Sequence, residues 1–308
     1  MPAVSVAHLA KSYGTIHAVR DVGFEVERGE VFALLGPNGA GKTTTIEILE
    51  GFRPRDAGEV DVLGFDPGDR RTQRRLRSRL GIVLQELAVE PFFSVRQVLS
   101  RSAGLYPNAR PVDEVIGLVG LSEKSDARVK TLSGGQQRRL DVGLGIIGNP
   151  DLLFLDEPTT GLDPSGRRAS WDLVRQLADE GTTVILTTHY MDEVEALADQ
   201  VAVLADGKIV ASGTPSSIGG RDVGTATIRF RLPDDVSADD LPVPSRSASG
   251  GEMEIRTEQE LPVLHALIDW ALGRGIELPG LTVNRVTLED VYLRLTKSPD
   301  AETEREVS

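Results

Sequence analysis

The chain of 308 residues contains no cysteine, and this absence excludes disulfide bonds and thiolate metal sites. Its four histidines show no metal-ligand spacing. No apolar run approaches the ~20 residues that cross a bilayer. The N-terminal residues Met1 to Val4 lack a basic region followed by a long apolar stretch. We therefore expect a chain that is neither secreted nor membrane-spanning.

Basic residues are also scarce, with 34 Lys and Arg against 47 Asp and Glu and a formal net charge of −13. Neutralising nucleic-acid phosphates needs a positive surface, so this balance argues against nucleic acid as a partner. The arginine-rich segment 67–80 is interpreted as a solvated helix face, because no aromatic residues interleave its charges. Any polyanion is therefore expected to bind at a local site.

The most informative run is Gly36-Pro37-Asn38-Gly39-Ala40-Gly41-Lys42-Thr43-Thr44, which follows the apolar segment Val31 to Leu35. A strand, a glycine turn and a helix in this order are the setting that a phosphate-binding loop requires. The glycines allow backbone amides to approach an anion at the helix N-terminus. Lys42 is predicted to reach the β- and γ-phosphates, Thr43 to hold Mg²⁺ and Thr44 to donate to phosphate. The run predicts binding of ATP or GTP, whereas a plain glycine-rich turn with a solvated lysine fits the flanking elements poorly.

Two apolar runs, Leu152 to Leu155 and Val184 to Leu186, predict strands of a parallel sheet that is buried on both faces. Ligands of such sheets lie beyond the carboxyl ends of the strands. We therefore expect the polar residues that follow the two strands to converge with the phosphate loop, namely Asp156, Glu157 and His189.

The remaining patterns divide the chain into domains. Antiparallel strands are expected ahead of the phosphate loop, helices around 95–105 and 112–119, and a hairpin that turns at Asp206-Gly207. The segment 213–224 is typical of a linker. We expect a nucleotide-binding domain over 1–220 with a helical subdomain over about 86–150, an α+β accessory domain over 221–296 and a disordered tail over 297–308.

The accessory domain is predicted to contain strands over 226–232, 253–256 and 281–286 and a helix over 258–272. A last helix is expected to begin at Thr287, because Thr287 with Asp290 three residues later resembles a capping box. No catalytic constellation is found in this domain, so a regulatory role or an interaction surface is expected.

A second motif, Leu132-Ser133-Gly134-Gly135-Gln136, places a serine N-cap and two glycines at a helix start, where an anion is attracted. With the phosphate loop and the run Leu152 to Glu157, it resembles the nucleotide-binding subunits of ATP-binding-cassette (ABC) transporters over roughly residues 3–218. The resemblance implies a P-loop NTPase α/β fold, with a RecA-like parallel sheet, an antiparallel β subdomain and an inserted helical subdomain. A lone phosphate loop would leave kinases, GTPases and other ATPases open.

The same resemblance implies roles for single residues. Tyr13 matches the aromatic that stacks on adenine, although a partly buried packing residue would look the same in the sequence. Gln85 matches the glutamine that contacts Mg²⁺ and the attacking water and senses the transmembrane partner. Asp156 matches the carboxylate that holds Mg²⁺ through water. Glu157 matches the base that deprotonates the attacking water, and His189 the switch histidine on the γ-phosphate.

The implied assembly is a head-to-tail dimer with a second copy or a related cassette. In the family, Ser133 and Gly135 of one subunit close over the γ-phosphate bound by Lys42 of the other, and Asp163 lies in the loop that signals across the dimer. Separate transmembrane permease subunits are also implied. They would place the chain in the cytoplasm, peripheral on the inner face of the membrane, with membrane contact only through the permease.

The segment Val283 to Tyr292 resembles the appendix of drug-resistance exporter ATPases of the daunorubicin type. This similarity implies ATP-driven efflux of a hydrophobic drug, antibiotic or lipid. The pair Phe92-Phe93 either lines a groove for the permease or belongs to the core. The alternatives are another ABC export or uptake system, a soluble cassette ATPase that acts on nucleic acid or ribosomes, and a phosphotransferase with an acceptor other than water.

Overall fold

The computed structural model describes residues 1–83, 90–220, 226–233, 236–247, 252–285 and 287–296. The chain divides into two compact units, Met1–Pro215 and Ser216–Ser308. Within the described ranges, no helix combines the length and apolar character that a bilayer crossing requires.

The first unit mixes strands and helices. Its strands are β1 (Val4–Tyr13), β2 (Ile16–Val26), β3 (Val31–Leu35), β4 (Ala57–Val62), β5 (Leu80–Val83), β6 (Leu152–Asp156), β7 (Thr183–Thr188), β8 (Gln200–Ala205) and β9 (Lys208–Gly213). Its α-helices are α1 (Lys42–Leu49), α2 (Gln73–Arg77), α3 (Val95–Ala103), α4 (Val112–Leu118), α5 (Gly134–Ile146), α6 (Pro164–Asp179) and α7 (Met191–Leu197). Short 3-10 turns lie at Ser122–Lys124 and Val129–Thr131.

Six of these strands form one sheet in the order β5-β6-β7-β3-β8-β9. The predicted parallel sheet is confirmed, since β3 runs parallel to β7 and β8, and β6 runs parallel to β5 and β7. Only β9 is antiparallel, and it forms the predicted hairpin with β8. Because β6, β7 and β3 are neighbours, the loops that follow them meet at one edge of the sheet.

A separate antiparallel sheet has the order β2-β1-β4. It confirms the antiparallel strands expected ahead of the phosphate loop. β4 was not predicted from the sequence, because Val60 and Val62 are its only buried residues and the other positions are small or acidic. The valines and Leu9 of this sheet join the core of the unit.

The helices predicted around 95–105 and 112–119 are confirmed as α3 and α4. α3 begins at a capping box, in which Ser94 Oγ accepts from the Gln97 backbone N–H at 3.2 Å and Gln97 Oε1 accepts from the Ser94 N–H at 2.9 Å. α4 follows after a loop, and α5 packs against both α3 and α4.

The helix expected over 67–80 is wrong for most of its length, because α2 spans only Gln73–Arg77. The carboxylates of Asp66 and Asp69 accept from the backbone N–H groups of Gly68 at 2.7 Å and Arg71 at 2.9 Å. Such short-range bonds favour turns over a helix. The segment leads directly into β5, which begins at Leu80.

The second unit is a small α+β structure. Its elements are β10 (Ala226–Arg231), β11 (Arg246–Ser247), β12 (Glu252–Thr257), α8 (Glu260–Arg274), β13 (Thr282–Arg285) and α9 (Leu288–Thr296). The strands form an antiparallel sheet in the order β11-β12-β10-β13. Its core joins Ile228 and Phe230 of β10, Met253 and Ile255 of β12 and Leu267 of α8.

The capping box predicted for α9 is confirmed. The Thr287 N–H donates to Asp290 Oδ2 at 2.9 Å, and the Asp290 N–H donates to Thr287 Oγ1 at 3.1 Å. The predicted linker 213–224 is partly structured, because Ile218–Gly220 form a 3-10 turn in which Ile218 is buried. The domain boundary placed at residue 220 stays a prediction, and the tail 297–308 lies outside the described residues.

Candidate nucleotide-binding site

The phosphate loop joins β3 to α1, as predicted. Gly39 and Gly41 have φ of 82° and 104°, which favour glycine. A Cβ on Gly36 or Gly41 would lie 2.3 Å from the carbonyl oxygen of Leu204 or Ala18. Among the described residues, no side chain caps the start of α1. The first-turn N–H groups are therefore available to an anion.

The ammonium of Lys42 lies inside this loop. Its Nζ donates to the carbonyl oxygens of Gly36 at 2.6 Å and Pro37 at 3.1 Å. Burial lowers the pKa of Lys42, and the nearby carboxylates of Glu157 and Asp156 oppose this shift. An ammonium that is partly removed from water attracts a phosphate strongly, because its field is weakly screened.

A cleft of about 280 Å³ joins the phosphate loop to the end of β6. Its lining comprises Ala18, Asn38, Gly39, Gly41, Lys42, Thr43, Thr44, Asp156 and Glu157. The structure therefore brings the phosphate loop together with both acidic residues that were expected there. Ala18 of β2 was not expected at this site.

The residues present fit a magnesium ion. The Thr43 hydroxyl and the Asp156 carboxylate line the same cleft, and hard oxygen donors of these kinds are the ligands of Mg²⁺. Thr187 Oγ1 of β7 donates a short hydrogen bond to Asp156 Oδ1, which fixes the orientation of the carboxylate. In the described part of the chain, no three His, Asp or Glu side chains form a metal cluster.

Glu157 follows β6 in a left-handed conformation, with φ of 47°. Its N–H donates to the Thr187 carbonyl at 3.0 Å, and Thr160 Oγ1 donates to its Oε2 at 3.2 Å. Nδ1 of His189, which follows β7, lies 3.1 Å from Glu157 Oε1. The side chain of Glu157 is 22% exposed. The carboxylate is thus oriented from two sides and still open to the cleft.

The signature motif lies at the start of α5. Ser133 is its N-cap, as predicted: Ser133 Oγ accepts from the Gln136 N–H at 3.3 Å, and Gln136 Oε1 accepts from the Ser133 N–H at 3.0 Å. Ser133 and Gly134 are exposed, and a Cβ on Gly134 would meet no atom within 4 Å. None of the motif lines the cleft of its own chain.

Three other predicted residues lie apart from the cleft or outside the described chain. Asp163 caps α6, where its carboxylate accepts from the Gly166 N–H at 2.8 Å, and this bond keeps the pKa of Asp163 low. Tyr13 is 39% exposed, with the Arg53 guanidinium 5.3 Å from its ring centroid. Gln85 lies outside the described residues.

Sequence reasoning missed several side chains behind the site, including Thr187. Glu193 of α7 is fully buried and accepts from Trp171 Nε1 at 3.3 Å. Glu193 lies four residues after His189 and on the apolar side of α7, and this position could have marked it in the sequence. Glu50 lies with Asp156 in a second cavity of about 80 Å³ behind α1, and nothing in the sequence marks it.

Comparisons with known proteins identify the family. Residues 19–160 match the ABC transporter family, and residues 226–287 match the C-terminal domain of ABC transporter domain-containing protein-like proteins. The Nod factor export ATP-binding protein I of Paraburkholderia xenovorans is 37% identical over 302 residues, which cover 96% of this chain and 97% of that protein. The chain belongs to the ATP-binding subunits of ABC transporters. This ABC subunit is accordingly an ATPase, and its predicted fold class is confirmed.

Other similar proteins extend the comparison. The linearmycin resistance ATP-binding protein LnrL of Bacillus subtilis is 33% identical to the ABC subunit over 302 residues, covering 94% of this chain and 96% of that protein. CbiO1 of Clostridium perfringens, part of the ABC transporter complex cbiONQ, has a TM-score of 0.63 at 30% identity, over 70% of this chain and 90% of that one. An ATP-binding cassette in a dimeric post-hydrolysis state with ADP and Pi has a TM-score of 0.63 at 23% identity. The match covers 68% of this chain and 98% of that one.

Proposed function

We propose that this ABC subunit drives export of a hydrophobic compound through separate transmembrane subunits, by ATP-dependent head-to-tail dimerisation. The observation that carries the proposal is the separation of two motifs within one chain. The phosphate loop, Asp156 and Glu157 share one cleft, whereas Ser133 lies exposed on α5 and outside that cleft. A second copy is therefore needed to bring a signature motif to the bound nucleotide.

Each residue of the cleft has a defined task in this scheme. The amides of the loop, Lys42 and Thr44 bind the phosphates. Thr43, Asp156 and Gln85 would hold Mg²⁺, which neutralises charge on the β- and γ-phosphate oxygens when it is bound. Glu157 accepts a proton from the attacking water, since its carboxylate is oriented by Thr160 and His189 and remains open to the cleft.

The dimer supplies the mechanical step. Ser133 and Gly135 of one copy close over the γ-phosphate held by Lys42 of the other, and Asp163 lies in the loop that faces the same junction. Each charge-assisted hydrogen bond to that phosphate contributes about 1.5–3 kcal/mol. Hydrolysis removes these bonds from the interface, and the two copies then separate.

The permease contact is proposed at the pair Phe92-Phe93. Phe92 is 65% exposed and Phe93 36% exposed, which argues against an ordinary place in the core. The Lys130 ammonium lies 4.9 Å from the Phe92 ring centroid, and the Arg101 guanidinium lies 5.8 Å from that of Phe93. We place an apolar helix of a transmembrane partner against these exposed rings, at the cytoplasmic side of the membrane.

The names of the relatives support export. One relative is named for Nod factor export and another for linearmycin resistance. We propose a hydrophobic drug, antibiotic or lipid as the cargo of this subunit, in an exporter of the daunorubicin type. ATPase activity that DNA or ribosomes stimulate would favour the soluble cassette alternative instead.

Co-purification from membranes tests the proposal. Phe92→Asp should lose the permease while its ATPase activity in solution stays unchanged, because Phe92 lies outside the cleft. Phe52→Asp is the matched control, since Phe52 is also exposed, at 58%, and also lies beside an arginine, Arg77. Retention of a multi-span membrane protein by Phe92→Asp at the level of the control would contradict the docking site.

A further inference from the structure

Arg138 of α5 lies five positions after Ser133 and reaches the segment that follows β6. Its guanidinium donates to three consecutive carbonyl oxygens. Nη2 donates to Asp156 at 2.6 Å and to Glu157 at 3.0 Å, and Nε donates to Pro158 at 3.2 Å. One side chain of the signature helix thus holds the backbone on both sides of the proposed catalytic base.

The guanidinium is itself fixed in place. The Arg138 side chain is only 10% exposed, and Nη1 donates to Asp141 Oδ2 at 3.0 Å, one turn further along α5. Asp141 is buried as well, which raises the pKa of its carboxyl group, and the charge of Arg138 opposes that shift. A planar fork held by a buried carboxylate has few orientations left to it. Its direction is therefore set by the position of α5.

Glu157 needs such support. Its φ of 47° lies in the left-handed region, which a residue with a side chain occupies only when its surroundings hold it there. This conformation turns the carboxylate towards His189 and Thr160. The Thr187 carbonyl holds the Glu157 N–H, and Arg138 holds the carbonyls before and after it.

We propose that Arg138 is a positioning residue that sets the catalytic geometry of Glu157 and couples it to the signature helix. The inference rests on the proposed role of Glu157 as the base. Ser133 at the start of α5 serves the nucleotide of the other copy. A shift of α5 on dimer closure therefore moves Arg138, and with it the backbone of Glu157 in the same chain. When Ser133 closes over the nucleotide of the other copy, Glu157 of the same chain is thereby positioned at the nucleotide of its own cleft.

A double-mutant cycle tests the proposal. Arg138→Lys replaces the planar fork, whose Nε and Nη2 donate to the three carbonyls, by a single ammonium without that fork geometry. We expect kcat to fall about 10- to 100-fold, because a misplacement of about 1 Å has effects of this size. KM for ATP should change less than about twofold, since the phosphate loop is untouched. In a Glu157→Gln background, assayed by single-turnover hydrolysis, Arg138→Lys should have no further effect.

Arg175→Lys is the matched control. Arg175 of α6 also binds a backbone carbonyl, that of Ala196, with Nε at 3.0 Å, and it lies outside the cleft. Its kcat should equal that of the unaltered chain. Asp141→Asn provides a second variant should Arg138→Lys fail to fold. It removes the charged partner of Arg138 but leaves the three carbonyls, so a smaller fall in kcat is expected.

The outcomes separate this proposal from the one it rests on. An equal loss from Arg138→Lys in both backgrounds, or a raised KM with unchanged kcat, would overturn the positioning role and leave Glu157 as the base. Undiminished hydrolysis by Glu157→Gln alone would overturn both.

Discussion

At the scale of single residues, three carboxyl groups share the cavity behind α1, namely Glu47, Glu50 and Asp156. Glu50 is only 4% exposed. Burial, together with the charges of Asp156 and Glu47, raises the pKa of Glu50 to about 8. At neutral pH it is therefore largely protonated in the folded chain, although the unfolded chain would ionise it.

This difference predicts a pH-dependent stability. The folded pKa of Glu50 lies above the ordinary value of 4.5 for a glutamate, so between about pH 4.5 and 8 the folded state binds more protons than the unfolded state. The free energy of unfolding should then fall as pH rises, by up to about 1.4 kcal/mol per pH unit from this group. Urea unfolding of Glu50→Gln at pH 5.5 to 8 should show a flatter dependence.

Glu59→Gln, a change at an exposed glutamate of β4, is the control for that series. It should keep the slope of the unaltered chain. A Glu50→Gln slope as steep as that of Glu59→Gln would show that Glu50 does not hold the extra proton.

Residue identities alone revealed much of the site. Lys42, Thr43 and the loop glycines were predicted because a phosphate loop is contiguous in sequence. Asp156 and Glu157 followed from the end of an apolar strand. Arg138 and Glu193 were missed, since their contacts join segments that lie 18 to 22 positions apart and are set by tertiary packing. The roles of the site residues stay predictions.

At the scale of elements, the start of α5 carries the dimer hypothesis. Ser133→Arg would place a bulky cation at an exposed N-cap, where it would meet the nucleotide of the other copy. We expect ATP binding by the monomer to stay intact and the ATP-dependent dimer to disappear in sedimentation velocity. The lost cap should also cost about 1 kcal/mol of stability.

Ser94→Arg controls for that lost cap. Ser94 forms the same kind of capping box at α3 and, like Ser133, does not line the cleft of its own chain. It should lose similar stability and keep the ATP-dependent dimer. Dimers of Ser133→Arg as abundant as those of Ser94→Arg would contradict a shared site.

Helices and strands could be predicted where the pattern of apolar residues within the element itself specifies it. The buried parallel strands and the helices α3 and α4 follow from apolar periodicity. The basic segment 67–80 is mostly not helical, because the carboxylates of Asp66 and Asp69 accept hydrogen bonds from nearby backbone N–H groups and these bonds compete with the helix. The two-residue strand β11 was missed, since it exists only through its pairing with β12.

At the scale of the whole molecule, the proposed scheme needs two copies, because the signature motif does not line the cleft of its own chain. The subunit is an ATPase, and in the proposed scheme its cleft binds ATP while another copy supplies the signature motif that closes over the γ-phosphate. Residues 226–287 of the second unit match the C-terminal domain of ABC transporter domain-containing protein-like proteins. In the proposed scheme the membrane subunits select the cargo, so the sequence of this chain predicts the ATPase and does not identify the substrate.

The Glu157→Gln variant tests the central claim most directly, by sedimentation velocity in saturating Mg²⁺ and ATP. The amide leaves the charge and contacts of the nucleotide in place but cannot accept the proton of water, so turnover should fall about 10²- to 10⁴-fold. We expect a stable dimer that retains two ATP molecules. Adding Ser133→Arg to this variant should abolish the dimer. A Glu157→Gln chain that stays monomeric, or that hydrolyses ATP at the normal rate, would contradict the central claim.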